Sequence, residues 1–338
     1  MQILKCVVYL VQISLLIMKK QFIAAVCCVC ALFAGCEQAE ELDSMGEKLE
    51  MSMLASIEGS DNSGASRYAG DAPNSVAFTK GDAIGMAVGE GEFVKWVYNT
   101  AWKPEGASVN WNDKTSNHYF RAFYPYADNA SKGSVPMPEL ANQTGEMTCV
   151  AEKDFLVASK TQTYGTNGEV LFTGDDAFKH VSSLVALTLK AEGELTSATI
   201  NEISIEGTDI LTPTTYSFDD DEVTLDLDES KKSNVLKLDL SHSMNSNSKA
   251  FYFVLNSGTV DLSAVTLKID YTTSKGSYIA ELKGLGTNEV HKFERGKQYS
   301  YSLKVAGGEL VISGNEIQDW GEGLILNDIV INGTQQQD

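Results

Sequence analysis

Val265-Thr266-Leu267-Lys268-Ile269-Asp270-Tyr271 alternates apolar and polar residues with a period of two, and that alternation decides the fold class. Successive side chains of a strand point to opposite faces, so the run offers one apolar face to a core and one polar face to water. Tyr299-Ser300-Tyr301-Ser302-Leu303-Lys304-Val305 repeats the pattern, and similar runs occupy 184–189, 198–205, 223–227, 236–240 and 251–255. Turn formers separate them at short intervals: Asn256-Ser257-Gly258, Gly284-Leu285-Gly286 and Gly307-Gly308. No stretch after Cys36 carries a sustained helical period flanked by caps. Many short strands without intervening helices predict an all-β chain built as antiparallel β-sandwiches.

The chain has 338 residues, enough for two domains of ordinary size. A boundary is expected near Gly174-Asp175-Asp176, because the chain is aromatic-rich before it and a fresh series of alternating runs begins after Phe178-Lys179-His180-Val181. That gives an N-terminal sandwich over 48–176 and a C-terminal one over 177–338. There are 46 acidic against 26 basic residues, a formal charge of −20. Lys5, Lys19 and Lys20 precede Cys36 and no acid does, so the remainder is more acidic still. Such a surface repels nucleic acid and anionic membrane faces, and nucleic-acid binding is excluded on that ground. Asp219-Asp220-Asp221-Glu222 lacks the ligand spacing and glycine of a calcium loop and reads as a solvated hairpin tip.

At the other end, Met18-Lys19-Lys20 opens an apolar run that closes on Leu32-Phe33-Ala34-Gly35-Cys36. A basic n-region, an apolar stretch and small residues before the cut mark a secretory signal. Residues 1–35 are expected to be removed, and translation is expected to begin at Met18. The run is short of the roughly 20 apolar residues of a spanning helix, which favours an anchored chain over a spanning one. Cys36 behind Ala34-Gly35 resembles a bacterial lipobox, which implies an acylated Cys36 as the new N-terminus and an outer-membrane lipoprotein at the cell surface. Glu37-Gln38-Ala39-Glu40-Glu41-Leu42-Asp43 begins an acidic tether over 36–47, similar to signals that send lipoproteins of some gut and oral anaerobes to the outer face. Cys6, Cys27, Cys28 and Cys30 leave with the signal, so Cys149 has no intramolecular disulfide partner.

Between tether and domain lies a patterned segment. Leu49, Met51, Met53, Ala55 and Ile57 fall on one face of an extended strand, with Lys48, Glu50, Ser52, Ser56 and Glu58 opposite and Leu54 the exception. This predicts a half-buried first strand over 48–58. It runs into Gly59-Ser60-Asp61-Asn62-Ser63-Gly64-Ala65-Ser66, a flexible linker, and then Arg67, the only arginine between Cys36 and Arg121. A trypsin-like protease cutting at Arg67-Tyr68 would separate the strand from its domain.

Chemistry is sparse. The four histidines (His118, His180, His242 and His291) have neither metal-ligand spacing nor a nucleophile setting, and Gly-x-Ser-x-Gly is absent. No catalytic residue, metal or cofactor is expected, and His180 reads as a core residue. Trp96, Tyr98, Trp102 and Trp111 cluster in sequence and raise an alternative, a monomeric surface lipoprotein binding glycans or acting as an adhesin. Core packing is the favoured fate of these rings, and exposure is the discriminator.

Several short motifs then fall into one order: Phe78-Thr79-Lys80-Gly81-Asp82, Phe120-Arg121-Ala122-Phe123-Tyr124-Pro125, Asp154-Phe155-Leu156-Val157-Ala158, Phe178-Lys179-His180-Val181, Gly296-Lys297-Gln298-Tyr299 and Ile317-Gln318-Asp319-Trp320. In this order the set resembles the fimbrillin family, the lipoprotein pilins of type V pili, from about Lys48 to Trp320. The resemblance implies two transthyretin-like β-sandwich domains, removal of the first strand by a processing protease after an arginine, and a groove filled by a strand of another pilin subunit. On this chain Lys48–Glu58 matches the removable strand. The donor would lie within 308–331, with Leu310 and Ile312 in its first part and Ile325, Ile329 and Ile331 on one face of its second. Partners implied are other pilin subunits, the protease and the outer membrane, with a host or bacterial surface ligand left open. An arginine fit for cutting and 18 residues beyond Trp320 lean towards a stalk subunit rather than an anchor or tip.

Overall fold

A computed structural model describes residues 48–59, 77–190, 196–226, 228–245, 247–258, 260–285, 291–306 and 309–320. The signal 1–35, Cys36, the tether, Arg67, Tyr68, Ile325, Ile329 and Ile331 lie outside the described residues. By contact the chain forms two units, one of Met1–Leu49 with Asn110–Asp113 and one of Glu50–Val109 with Lys114–Asp338. In the first, the Trp111 N–H donates to the Leu49 carbonyl at 2.8 Å. The sheets belong to the second.

The described chain is all-β, as the alternation predicts. It opens with β1 (Ser52–Ala55), β2 (Ala83–Val88), β3 (Val94–Tyr98), β4 (Trp102–Pro104), β5 (His118–Tyr124) and β6 (Val135–Pro136). One short helix, α1 (Met147–Lys153), follows, then β7 (Leu156–Gln162), β8 (Glu169–Phe172), β9 (Lys179–His180) and β10 (Ser183–Lys190). Next come β11 (Thr199–Glu206), β12 (Thr214–Ser217), β13 (Glu222–Leu225), β14 (Val235–Ser243) and β15 (Lys249–Leu255). β16 (Thr266–Thr273), β17 (Gly276–Lys283), β18 (Lys297–Ala306) and β19 (Glu309–Asp319) complete it.

Three larger sheets run β4-β3-β2-β5-β7-β9, β15-β10-β18-β19 and β14-β11-β16-β17, beside a three-stranded β13-β12-β6 and the pair β1-β8. Two strand pairings run parallel, β1 with β8 and β10 with β18, and the other pairings between strands among the described residues are antiparallel. Strands from before and after residue 176 share sheets, since β9 pairs with β7 and β12 with β6.

Local chemistry explains these elements. In β16 the inward residues Leu267, Ile269 and Tyr271 are buried and their neighbours are not, so the opening alternation is a single-faced strand. β10 is a central strand between β15 and β18 and is buried on both faces, which its continuous run of Leu, Val and Ala suits. β5 ends at Tyr124, where Pro125 has no N–H to offer a ladder. Gly85 on β2 is required by close approach: an added Cβ would lie 2.3 Å from the Phe123 ring. A core of Phe123, Val135, Phe155, Val157, Val181 and Tyr216 gathers residues from both halves of the sequence. The β15 edge is occupied by a side chain. The Gln143 amide donates to the Val254 carbonyl and accepts from the Val254 N–H, both at 2.8 Å, and the Tyr252 N–H donates to Gly145.

Candidate functional site

The first strand is inserted between two stretches of chain rather than laid on a surface. On one side the Met51 N–H donates to the Val109 carbonyl at 2.8 Å. On the other the Ser52 N–H reaches Gly168 at 3.3 Å and the Ser56 N–H reaches Phe172 at 2.9 Å. Beyond β8 the strand continues along Phe178, whose N–H donates to Ser56 at 2.9 Å and whose carbonyl accepts from Glu58 at 2.8 Å. Ile57 and Phe178 form a parallel bridge. Backbone groups alternate in direction along a strand, so one short segment satisfies two neighbours at once.

Side chains follow the same alternation. Met51, Met53 and Ile57 are buried, Ile57 to 1% exposure, whereas Leu54 is 52% exposed. Ala55 is half-buried, and Leu49 is buried in the other unit. The parallel register sets Met53 beside Val170, both buried, and Leu54 beside Leu171, both exposed. Beneath lies an aromatic cluster: Phe178 meets Phe172 and Phe78 edge-on at 5.5 and 5.2 Å, and Phe78 meets Trp102 at 5.0 Å. Burying a large apolar side chain contributes roughly 1.5–3 kcal/mol, so the strand's inward row anchors it well.

β8 has β1 as its strand partner, and its other side is held by side chains of β7. Gln162 donates to the Glu169 carbonyl at 2.8 Å and accepts from the Leu171 N–H at 3.0 Å, and Lys160 donates to the Leu171 carbonyl at 2.6 Å. Taking the first strand away would therefore leave β8 without its backbone ladder and would open the faces of Val170, Phe172 and Phe178 to water.

Two residues past Phe178 stands His180, buried, with Nδ1 3.0 Å from an Asp154 carboxylate oxygen. The Trp320 indole stacks on its ring at 4.3 Å with 5° between planes, and the Trp320 backbone N–H donates to the Gly296 carbonyl at 2.8 Å. His180 is the core residue the sequence suggests. Trp320 closes β19, which pairs antiparallel with β18 and carries the backbones of Leu310 and Ile312 opposite Val305 and Leu303. The described part of the expected donor thus lies within its own sheet.

The tryptophan cluster is not a surface platform. Trp96, Trp102 and Trp111 are buried at 0, 4 and 1% exposure, and Tyr98 tilts 48° to Trp102. Residues 219–222 form a hairpin tip between β12 and β13, with Tyr216 Oη donating to Asp221 at 2.7 Å. Among the described residues no three His, Cys, Asp or Glu side chains are grouped to hold a metal, and Cys149 is buried and free. What the sequence did not indicate was the strand's partner. Phe178 stood out as a motif residue, but no local signal pairs position 57 with position 178.

No curated protein matches the chain. Two solved structures share its fold at low identity. A crystal structure described as a candidate cell adhesion protein from Bacteroides uniformis is 16% identical with a TM-score of 0.55, over 80% of this chain and 98% of that one. Another, described likewise and from Bacteroides ovatus, is 16% identical with a TM-score of 0.53, over 82% and 99%. A family model described as fimbrillin-like matches residues 56–320, from the end of the first strand to the tryptophan that stacks on His180. The chain belongs to the fimbrillin-like family.

Proposed function

We propose that the protein is a pilin-like subunit of a cell-surface fimbria, exported as a lipoprotein through Cys36 and polymerised by β-strand exchange. The single observation behind this reading is the first strand, bonded to Val109 at Met51 on one side, to β8 and Phe178 along the other, and anchored by an alternating apolar row. Cleavage after Arg67 would free Lys48–Glu58 and leave a slot with unpaired backbone groups and apolar pockets. An incoming strand restores both by β-augmentation: main-chain bonds supply pairing and alternate side chains fix register. In this reading the chain has a sandwich on each side of residue 176, stitched together by β9 and β12. The donor comes from beyond Trp320, with Ile325, Ile329 and Ile331 as its inward row. Leu310 and Ile312 join it only by giving up their pairing with β18. Other pilin subunits are the partners, and the outer membrane is the starting point of assembly.

Limited trypsin digestion of lipid-free protein, with N-terminal sequencing and electron microscopy, tests the reading. Expected are a new N-terminus at Tyr68 and filaments or an oligomer ladder. A digest that stays monomeric after loss of residues 48–67 would overturn strand exchange. Resistance at Arg67 would overturn the cleavage step.

A further inference from the structure

A cleft of about 330 Å³ opens among β5, β7, β9 and the β12–β13 hairpin, away from the first strand's inward row. That volume is at the small end of ligand sites, roughly 300–1,000 Å³. We propose that this cleft binds a neutral saccharide of one or two rings, independently of whether the chain polymerises.

The lining has three properties that meet in a sugar and in few other ligands. The first is aromatic surface. Tyr119 on β5 is 37% exposed, with the Arg121 guanidinium over one face at 4.6 Å and the other face left to a ligand, and Phe218 is half-buried with its ring edge-on to Tyr216 at 4.9 Å and 90°. Such rings offer flat apolar faces to the C–H side of a pyranose, with little conformational freedom to lose.

The second is fixed hydrogen-bonding geometry. Asp221 accepts from Tyr216 Oη at 2.7 Å and from Arg295 Nη2 at 3.0 Å, while Arg295 Nη1 donates to the Asp221 carbonyl at 2.9 Å. The guanidinium also lies over the Tyr216 ring, 5.5 Å from its centre. An arginine held this way keeps donors to spare in a rigid fork. Ser159, Asp175 and Lys179 also line the cleft, are exposed, and have no protein partner among the described residues. They supply an acceptor, a donor and a hydroxyl for a ligand rich in hydroxyls.

The third is charge balance. Asp221 is paired with Arg295, and Asp176 with Lys160 at 2.9 Å. Asp175 and Lys179 then cancel. No net charge remains to select an anion or a cation, whereas a neutral polyol can use every group.

Saturation-transfer NMR with maltose, lactose, cellobiose and mannose tests the site, with inorganic phosphate and glycine as charged and zwitterionic probes. At least one sugar is expected to bind at millimolar concentration. Tyr119→Ala and the pair Asp175→Asn with Lys179→Met are expected to weaken it about tenfold each while leaving the melting temperature unchanged. Their exposed positions keep the fold out of the comparison. No transfer to any of the four sugars would overturn the proposal. So would binding indifferent to both variants, or phosphate or glycine displacing the sugar from this cleft.

Discussion

β1 and β19 lie at opposite ends of the described chain and are held by different means. β1 is four residues long and pairs with β8 along one edge, while Met51 just before it bonds to Val109 on the other, and Met51, Met53 and Ile57 of this segment are buried. β19 is eleven residues long and, among the described residues, pairs with β18 alone, with an irregular step between Ser302 and Leu303. A strand held on both sides leaves a slot when it goes, whereas a strand held on one side leaves an edge. Slots are specific because both ladders and the side-chain row must be refilled together; edges accept any extended chain. The short strand is therefore the better recognition element, although it makes fewer ladder bonds.

The largest expected effect breaks that contrast at its inward row. Ile57→Asp should destabilise the intact protein by on the order of 4 kcal/mol, because it buries an unpaired carboxylate. Leu54→Asp, three residues earlier on the outward face, should stay within about 0.5 kcal/mol. Chemical denaturation of the pair reads the difference, and equal losses would show that β1 is not inserted. At the other strand Trp320→Ala should cost about 3–5 kcal/mol, since it removes the indole stacked on His180. Ile317→Ala, at 36% exposure, should be nearly neutral at about 0.5 kcal/mol or less. Hydrogen exchange sharpens the comparison further. Removing residues 48–58 should strip protection from the β8 amides while those of β16 keep theirs, because β8 loses its strand partner.

The smallest effect is electrostatic. Lys297 at the start of β18 pairs with Asp319 at the end of β19, and that bond holds its ammonium above the usual lysine range. A raised value in the folded state means that the contribution is whole below the unfolded pKa, near 10.4, and is lost as pH rises through the folded one. Lys297 is half-buried and Asp319 exposed, so solvent screens the pair and only a few tenths of a kcal/mol should disappear at alkaline pH. Lys297→Met should abolish that pH dependence in a melting series.

The strands were the legible part of this fold, and for one reason. A half-buried strand writes its inward face into every second residue, as Leu267, Ile269 and Tyr271 do, and as Met51, Met53 and Ile57 do. Strand direction leaves no such trace, which is why the parallel pairings of β1 with β8 and of β10 with β18 did not show in the sequence. α1 escaped notice because seven residues without a side-chain cap are too few to establish a helical period. The aromatic cluster around Trp96 and Trp102 was ambiguous for a related reason: composition gives ring count, and only packing gives the side on which rings face. The cleft was invisible altogether. Tyr119, Lys179, Phe218 and Arg295 meet only because β5, β9 and the β12–β13 hairpin converge.

One side chain described with the fold has a consequence for growth. Gln143 satisfies both backbone groups of Val254 and so occupies the border of β15 with an amide instead of a chain. That border cannot template another molecule while the amide remains. Any joining of copies edge to edge through this sheet is confined to the opposite flank, at β19, and one free edge pairs two copies and then closes. Replacing Gln143 would expose a second edge of the same sheet and remove that limit.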